Sequence, residues 1–269
     1  MRVGVLHPGA MGAVLAGVAA VPVMWSSEGR SAETVERAKI HGLVDQGSLS
    51  ELVGAVDALI SVCPPHAAMD VAAQVERLGF DGLYVDVNAI APATVRSIAD
   101  RFDRFVDGGI VGGPPTEPGE TRLYLAGPEA DLVAELFADT ALDARVLDGG
   151  IGSASALKTA YAGWTKGSTA LLLAVRAFAE ANDVGEDLVA EWEMSIPGLS
   201  ERVERTAGRI GRKAWRFEGE MAEIALAMEA VGLPSGFHDA ARTIYCRLAD
   251  LRGSDGATIG DVNRRLLGL

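Results

Sequence analysis

The chain begins with a short apolar strand that runs directly into a glycine turn and then into an Ala- and Leu-rich stretch. The turn reads His7-Pro8-Gly9-Ala10-Met11-Gly12. Glycine at position 9 would let backbone N–H groups approach a pyrophosphate, and glycine at position 12 would let the following helix pack against the strand. His7 takes the place of the first glycine of the dinucleotide fingerprint Gly-x-Gly-x-x-Gly. We therefore predict that residues 7 to 12 contact a dinucleotide; the alternative is an ordinary strand-to-helix turn that needs two glycines.

The balance of charges excludes some partners. The chain has 269 residues with 24 Lys and Arg against 37 Asp and Glu, a formal net charge of -13. Such an acidic protein is a poor ligand for nucleic acid or for an anionic membrane surface. Its only cysteines, Cys63 and Cys246, lie far apart in apolar surroundings, so we expect neither a disulfide framework nor a metal site. We find no secretion signal, and we expect a cytoplasmic protein with a small-molecule substrate.

The pattern of apolar residues changes near position 150. Before it, short β-branched runs alternate with Ala-rich amphipathic segments, which is typical of βαβ units. After it, one helical pattern runs from Gly152 to Asn182 and further helices follow. We therefore predict an α/β, Rossmann-type, mostly parallel sheet in residues 1–150 and an all-α domain in residues 151–269. The predicted strands are Val3–Leu6, Val21–Trp25, Ala58–Val62, Leu83–Val87, Phe105–Gly108, Leu123–Ala126 and Arg145–Leu147; the predicted later helices are Glu186–Met194, Ser200–Arg209, Glu218–Val231, Gly236–Leu251 and Ile259–Leu267.

The segment after the second predicted strand lies where such a fold reads the adenosine ribose. It carries Ser26, Ser27, Arg30 and Ser31, together with the acidic Glu28. Small hydroxyls with an arginine suit a 2′-phosphate and favour NADP, whereas an acid would accept from the ribose hydroxyls and favour NAD. In so acidic a chain we give Arg30 more weight, and predict NADP(H) rather than NAD as the cofactor.

Later strands also end in polar or glycine-rich segments, which is where an α/β sheet binds its ligands. Cys63-Pro64-Pro65 follows one strand and is predicted to contact the cofactor, although the cysteine would equally suit a buried apolar position. Asn88 follows the next strand and could donate to a substrate or to the nicotinamide amide; a turn asparagine that bonds its own backbone is the alternative. A further strand leads into Val111-Gly112-Gly113, which we predict to contact substrate.

The segment from Gly149 to Lys166 is rich in small residues and contains a candidate proton donor. On a helix, Lys158, Tyr161 and Thr165 share one face, because residues three to four apart stack. A lysine among small and apolar residues loses hydration, which favours its neutral, proton-accepting form. We predict that these three residues contact substrate and that Lys158 and Tyr161 are catalytic; solvated lysines on an exposed face are the alternative.

Over almost its whole length the chain resembles the β-hydroxyacid dehydrogenase and 6-phosphogluconate dehydrogenase superfamily, which includes the imine reductases. Pro8 to Gly12 is similar to that family's Gly-x-Met-Gly turn, and Asp107 to Gly113 is similar to its Asp-Ala-Pro-Val-Ser-Gly-Gly substrate motif. Gly149 to Lys158 matches its Gly-x-x-Gly-x-x-x-x-x-Lys spacing. Residues 161–167 and 213–221 resemble a subgroup with an uncharacterised C-terminal helical domain.

The resemblance implies hydride transfer between NAD(P) and a small carbonyl or hydroxy compound, with Lys158 as general acid/base and Asn88 or Tyr161 orienting the oxygen. It also implies a homodimer formed through the helical domain. Val111 stands where the family has a substrate-binding serine, and Ala162 where it has an asparagine. Two alternatives follow: an imine reductase that uses the same cleft with Tyr161 as donor, and an NADP(H)-binding sensor without catalysis.

Overall fold

The computed structural model describes residues 1–210, 214–252 and 256–269. Lys213 of the subgroup motif and most of the loop after Arg252 lie outside these residues. The described chain divides into two compact units, Met1–Thr159 and Ala160–Leu269. Within the described residues, no helix is long and apolar enough to cross a membrane, and no three metal-ligating side chains are grouped closely enough to hold an ion.

The first unit is built on one eight-stranded sheet in the order β3-β2-β1-β4-β5-β6-β7-β8. All neighbouring strands pair in parallel except β6 and β7, which are antiparallel. The predicted α/β Rossmann-type sheet with a helical C-terminal region is confirmed. The strands are β1 (Val3–Leu6), β2 (Val23–Trp25), β3 (Val44–Asp45), β4 (Ala58–Ser61), β5 (Leu83–Asp86), β6 (Phe105–Val111), β7 (Thr121–Ala126) and β8 (Leu142–Val146).

Every residue of β1, β4, β5 and β6 is buried, as expected for central strands with a face on each side covered by helices. The covering helices of this unit are α1 (Ala10–Gly17), α2 (Ala32–Ile40), α3 (Leu49–Ala55), α4 (Ala68–Arg77), α5 (Pro92–Ala99) and α6 (Ala130–Glu135). Because β1, β2, β4, β5 and β6 run in parallel, their carboxyl ends meet at one edge of the sheet. The strands are followed at that edge by the glycine turn and by the segments that begin at Ser26, Cys63, Val87 and Gly112.

The longest helix, α7 (Ser153–Ala181), begins in the first unit and continues into the second. The second unit also contains α8 (Gly185–Ser195), α9 (Leu199–Ile210), α10 (Ala214–Glu229), α11 (Gly236–Arg247) and α12 (Ile259–Leu267). Its core includes Leu173, Met221, Ile224 and Tyr245, all of which are buried.

Several predicted bounds were wrong. The strand predicted to end at Gly108 continues to Val111, because its glycines form part of a fully buried strand rather than a bend. The strand predicted at Arg145–Leu147 is Leu142–Val146. The two-residue strand Val44–Asp45 was not predicted, because two exposed residues carry no periodic pattern.

Candidate active site

A buried carboxylate on β6 holds the start of α7. Asp107 Oδ2 accepts hydrogen bonds from the backbone N–H groups of Gly152, Ala154 and Ser155 at 2.9, 2.9 and 3.1 Å. Its Oδ1 accepts the hydroxyl proton of Ser155 at 2.6 Å. The first backbone N–H groups of a helix have no partner within the helix, so a carboxylate there satisfies them and complements the helix dipole. Asp107 thereby fixes the position of the first turn of α7 against β6.

Close packing of α7 on β6 brings Lys158 to the strand. A Cβ at Gly109 would lie 2.6 Å from the carbonyl oxygen of Ala154 and 3.0 Å from Cβ of Lys158, so only glycine permits this approach. The half-buried Lys158 donates a hydrogen bond from Nζ to the carbonyl oxygen of Ile110. The candidate acid/base is thus held near the carboxyl end of β6, one helical turn after the residues that Asp107 caps.

A second buried network supports the segments after β4 and β5. Asn88, which is 2% exposed, accepts a hydrogen bond from the backbone N–H of Cys63 at 2.6 Å. Its amide nitrogen donates to Ser61 Oγ at 3.0 Å and to Asp86 Oδ2 at 2.8 Å. Both amide protons of Asn88 are therefore used inside the protein. The side chain ties the loop at Cys63-Pro64-Pro65 to the end of β5, as a positioning residue would, and the predicted contact of Asn88 with substrate stays a prediction.

Burial sets the protonation of this region. It raises the pKa of the Asp86 carboxyl to about 7; the hydrogen bonds from Asn88 oppose the rise, and the Asp107 carboxyl adds to it. Burial also raises the pKa of Asp107, against four hydrogen bonds from Gly152, Ala154 and Ser155. The Cys63 thiol, with its pKa raised to about 12 by burial, is protonated at neutral pH. Sequence reasoning did not select Asp86, Asp107 or Ser61 as site residues; the signal available was an acidic residue within each of two buried strands.

The glycine turn joins β1 to α1. Gly9 is the N-cap of α1, and neither a side-chain cap nor an acidic residue neutralises the first turn of this helix. A Cβ at Gly12 would lie 3.0 Å from the carbonyl oxygen of His7 and 3.2 Å from Cβ of Val62, which explains the glycine there. Arg37 of α2 donates to the carbonyl oxygen of Pro8 at 3.4 Å. This helix start suits an anion such as a pyrophosphate.

The three serines of the predicted ribose segment are engaged within the protein. Ser26 is buried and donates its hydroxyl to the carbonyl oxygen of Gly47 at 2.8 Å. The backbone N–H of Ser27 donates to Asp45 Oδ1 at 3.1 Å. Ser31 is the N-cap of α2, where it accepts from the backbone N–H of Thr34. Arg30 is the cation of this segment, and burial lowers its pKa.

The remaining predicted residues are spread over both units. Val111 is 3% exposed at the end of β6, Gly112 has a φ of 128°, and Gly113 accepts a hydrogen bond from the Thr121 hydroxyl at 2.7 Å. In the second unit Tyr161 is 48% exposed, and Thr165 donates its hydroxyl to the carbonyl oxygen of Tyr161.

Comparisons with known proteins agree with this fold. Residues 179–248 match the family described as "Domain of unknown function (DUF1932)". The chain is 30% identical over 191 residues to an uncharacterized 28.5 kDa protein of Methanothermus fervidus, and the match covers 70% of each chain. The structure of the conserved protein MTH1747, described as similar to 3-hydroxyacid dehydrogenases, is 27% identical with a TM-score of 0.71 over 93% of this chain and 98% of that one.

The chain belongs to the same family as the Methanothermus fervidus protein, and its structural neighbours are 3-hydroxyacid dehydrogenases and imine reductases. It shares its fold with 3-hydroxyisobutyrate dehydrogenase of Mycobacterium tuberculosis, at 16% identity and a TM-score of 0.71 over 99% of both chains. Imine reductases and reductive aminases share the fold at TM-scores of 0.52 to 0.56, and they include proteins described in complex with NADPH or NAD+. DUF1932 is the C-terminal domain of this family, and its match lies in the helical region of the chain.

Proposed function

We propose that this protein is an NAD(P)-dependent oxidoreductase that acts on a small carbonyl or hydroxy compound, with Lys158 as general acid/base. The observation that carries the proposal is the double attachment of α7 to β6. The Asp107 cap fixes the start of the helix, and the close approach at Gly109 puts the Lys158 amine beside the carbonyl oxygen of Ile110. A proton donor held on rigid elements at the ligand-binding edge of the sheet is what a carbonyl reductase requires.

The residues around the glycine turn fit a dinucleotide. The uncapped start of α1 offers backbone N–H groups to a pyrophosphate, and Arg30 offers a positive charge for the ribose end. The loop at Cys63-Pro64-Pro65, held by Asn88, lies over the neighbouring strand end. When bound, the nicotinamide supplies or accepts the hydride. We infer that NADP(H) is preferred over NAD(H), because Arg30 is the cation of this segment.

Lys158 would act on the substrate oxygen. In the reductive direction its ammonium donates a proton to the oxygen of the carbonyl as negative charge develops there; in the oxidative direction the amine accepts that proton. Its hydrogen bond to Ile110 restrains the side chain without neutralising it, since a backbone carbonyl carries no formal charge. Val111 has no hydroxyl to offer a substrate carboxylate, so we expect substrates other than the 3-hydroxy acids that use a serine at this position.

We also propose a homodimer formed through the helical region. Trp164, Leu171, Val175 and Phe178 are exposed on α7 and are separated by seven, four and three residues. Residues with this spacing lie along one side of a helix and form an apolar stripe. A stripe of large apolar side chains in water is typical of a surface that another protein covers.

The deciding experiment compares the wild-type protein with Lys158→Met. We expect turnover of a panel of aldehydes and ketones with NADPH to fall at least 1,000-fold, as is typical for loss of a general acid together with its charge. NADPH affinity, measured by nicotinamide fluorescence, should change by less than about threefold. Lys39→Met on the exposed surface of α2 is the matched control and should leave both quantities unchanged.

Other outcomes would assign another function. Activity on cyclic imines that survives Lys158→Met and is lost in Tyr161→Phe would identify an imine reductase, for which the 48% exposure of Tyr161 provides the motive. Tight NADPH binding without turnover of any carbonyl or imine would identify a sensor. Loss of NADPH binding in Lys158→Met would contradict the proposed role of this residue.

A further inference from the structure

Two basic side chains near the ends of β1 and β2 have buried nitrogens that lack a hydrogen-bond partner among the described residues. These atoms are Nδ1 of His7 and Nε of Arg30. Buried polar atoms in native proteins nearly always have partners, so such atoms call for an explanation. The positive charge of Arg30 contributes to lowering the pKa of His7, so the two side chains lie within electrostatic range of each other.

The backbone at His7 points to a role for its side chain. His7 has a φ of 63°, in the left-handed region that few residues other than glycine adopt, with asparagine, aspartate and histidine the most frequent among them. Glycine would occupy this conformation without strain, and it is the residue of the usual fingerprint. A histidine held in a strained conformation beside the cofactor turn is expected where the side chain contributes to binding.

The neighbouring serines already take part in hydrogen bonds within the protein. This leaves His7 and Arg30 as the groups available to bind a ligand. Ser26 donates its hydroxyl to Gly47, Ser27 is bonded to Asp45, and Ser31 caps α2. Burial, aided by Arg30, lowers the pKa of His7 to about 4, so at neutral pH its imidazole is uncharged and does not repel the guanidinium. A neutral imidazole protonated on Nδ1 donates one directed hydrogen bond, and Arg30 adds the positive charge and further donors.

We propose that His7 and Arg30 together bind the 2′-phosphate of the adenosine ribose, so that His7 is a second determinant of the preference for NADP(H). A phosphate monoester has enough acceptor oxygens to accept hydrogen bonds from His7 and Arg30 at once. This inference rests on the proposed function, in which a dinucleotide binds at the glycine turn. The inference extends that function, because it gives His7, the residue that replaces the first glycine of the fingerprint, a role in cofactor specificity.

The test uses adenine nucleotides that differ only in the 2′-phosphate. Dissociation constants of 2′,5′-ADP and 5′-AMP are measured by calorimetry for the wild type, His7→Asn, Arg30→Ala and the double variant. Asparagine tolerates the left-handed backbone but cannot reach as far as the imidazole. We expect His7→Asn to weaken 2′,5′-ADP about tenfold, the loss of one hydrogen bond to a charged group, and to change 5′-AMP by less than twofold. His41→Asn, at the far end of α2, is the matched control.

Additivity provides a second readout. If both side chains hold one phosphate, His7→Asn should have a smaller effect in the Arg30→Ala background than in the wild type. Equal weakening of 2′,5′-ADP and 5′-AMP in His7→Asn, or no change in either, would overturn the inference while leaving the dinucleotide site intact. If the wild-type protein binds neither adenine nucleotide nor NADPH nor NADH, the proposed function itself fails. His7→Gly, which removes the backbone strain, gives the same comparison should His7→Asn fold poorly.

Discussion

Asp107 and Ser155 are joined by two hydrogen bonds, from the backbone N–H and from the hydroxyl of the serine to the two oxygens of one carboxylate. Asp107 belongs to a buried strand, and Ser155 lies in the first turn of α7. The pair therefore sets the register between strand and helix. Lys158 follows Ser155 by three residues, so its position beside Ile110 depends on this contact.

Asp107→Asn should lower both stability and catalysis. The amide keeps one acceptor oxygen and turns its NH2 group toward donors, so at least one hydrogen bond to a charged group is lost, at a cost of about 2 kcal/mol. Urea denaturation should show this loss, and kcat should fall because Lys158 is no longer held in place. Asp103→Asn on the exposed loop before β6 is the control. Full stability in Asp107→Asn would show that the cap contributes little.

Gly109→Ala should displace Lys158. The added Cβ would lie 2.6 Å from the carbonyl oxygen of Ala154, so α7 must move away from β6 at a cost of about 1–3 kcal/mol. Gly54→Ala in α3 is the matched control, because its Cβ would meet nothing within 4 Å and it lies outside the predicted site. We expect thermal unfolding and carbonyl reduction to change in the first variant and not in the second. Equal effects of the two substitutions would argue against the close approach.

The pH dependence of stability should report on Asp86. Its pKa rises from 3.8 to about 7 in the fold, so between about pH 4 and 7 the folded protein binds more protons than the unfolded chain. The contribution of this group to stability is therefore full below about pH 4 and is lost as pH rises through about 7. His7 has the opposite sign, since its pKa falls from 6.5 to about 4.

His7 contributes equally to the free energy of unfolding of the wild type and of Asp86→Asn. Its contribution therefore cancels in the difference between the two proteins. We expect the free energy of unfolding of Asp86→Asn, relative to the wild type, to increase by a few kcal/mol between pH 4.5 and 7.5. Urea denaturation at several pH values measures it. A difference that stays constant over this range would mean that Asp86 ionises at its ordinary pKa.

Phe178→Asp should dissociate the proposed dimer. Phe178 is 69% exposed within the apolar stripe of α7, and a charge buried against a second copy would be strongly unfavourable. Light scattering after size exclusion should give twice the 28.0 kDa chain mass for the wild type and the single chain mass for the variant. Ile40→Asp, at a residue 70% exposed on α2, is the control. A monomeric wild-type protein would contradict the proposal.

The sequence predicted the fold well where patterns repeat along the chain. Buried, mostly apolar runs such as Ala58–Ser61 and the long helix Ser153–Ala181 are specified by local composition and periodicity. The strand Val44–Asp45 was missed because its pairing with Met24 and Trp25, rather than its own residues, makes it a strand. The continuation of β6 to Val111 was missed for a related reason: its glycines accommodate close neighbours, which no local pattern reveals.

The sequence by itself determined the order of the elements, the glycine turn and the spacing that selects Lys158, because these depend on residues close together in the chain. Tertiary structure alone decided what the polar side chains do. It directed the amide of Asn88 inward to Ser61 and Asp86, used the serines near Arg30 for turns and a cap, and brought His7 toward Arg30. It also paired Asp107 with a helix that begins 46 residues later in the sequence. The physical reason is that hydrogen bonds and burial depend on neighbours in space, and residues far apart in sequence become neighbours only when the sheet forms.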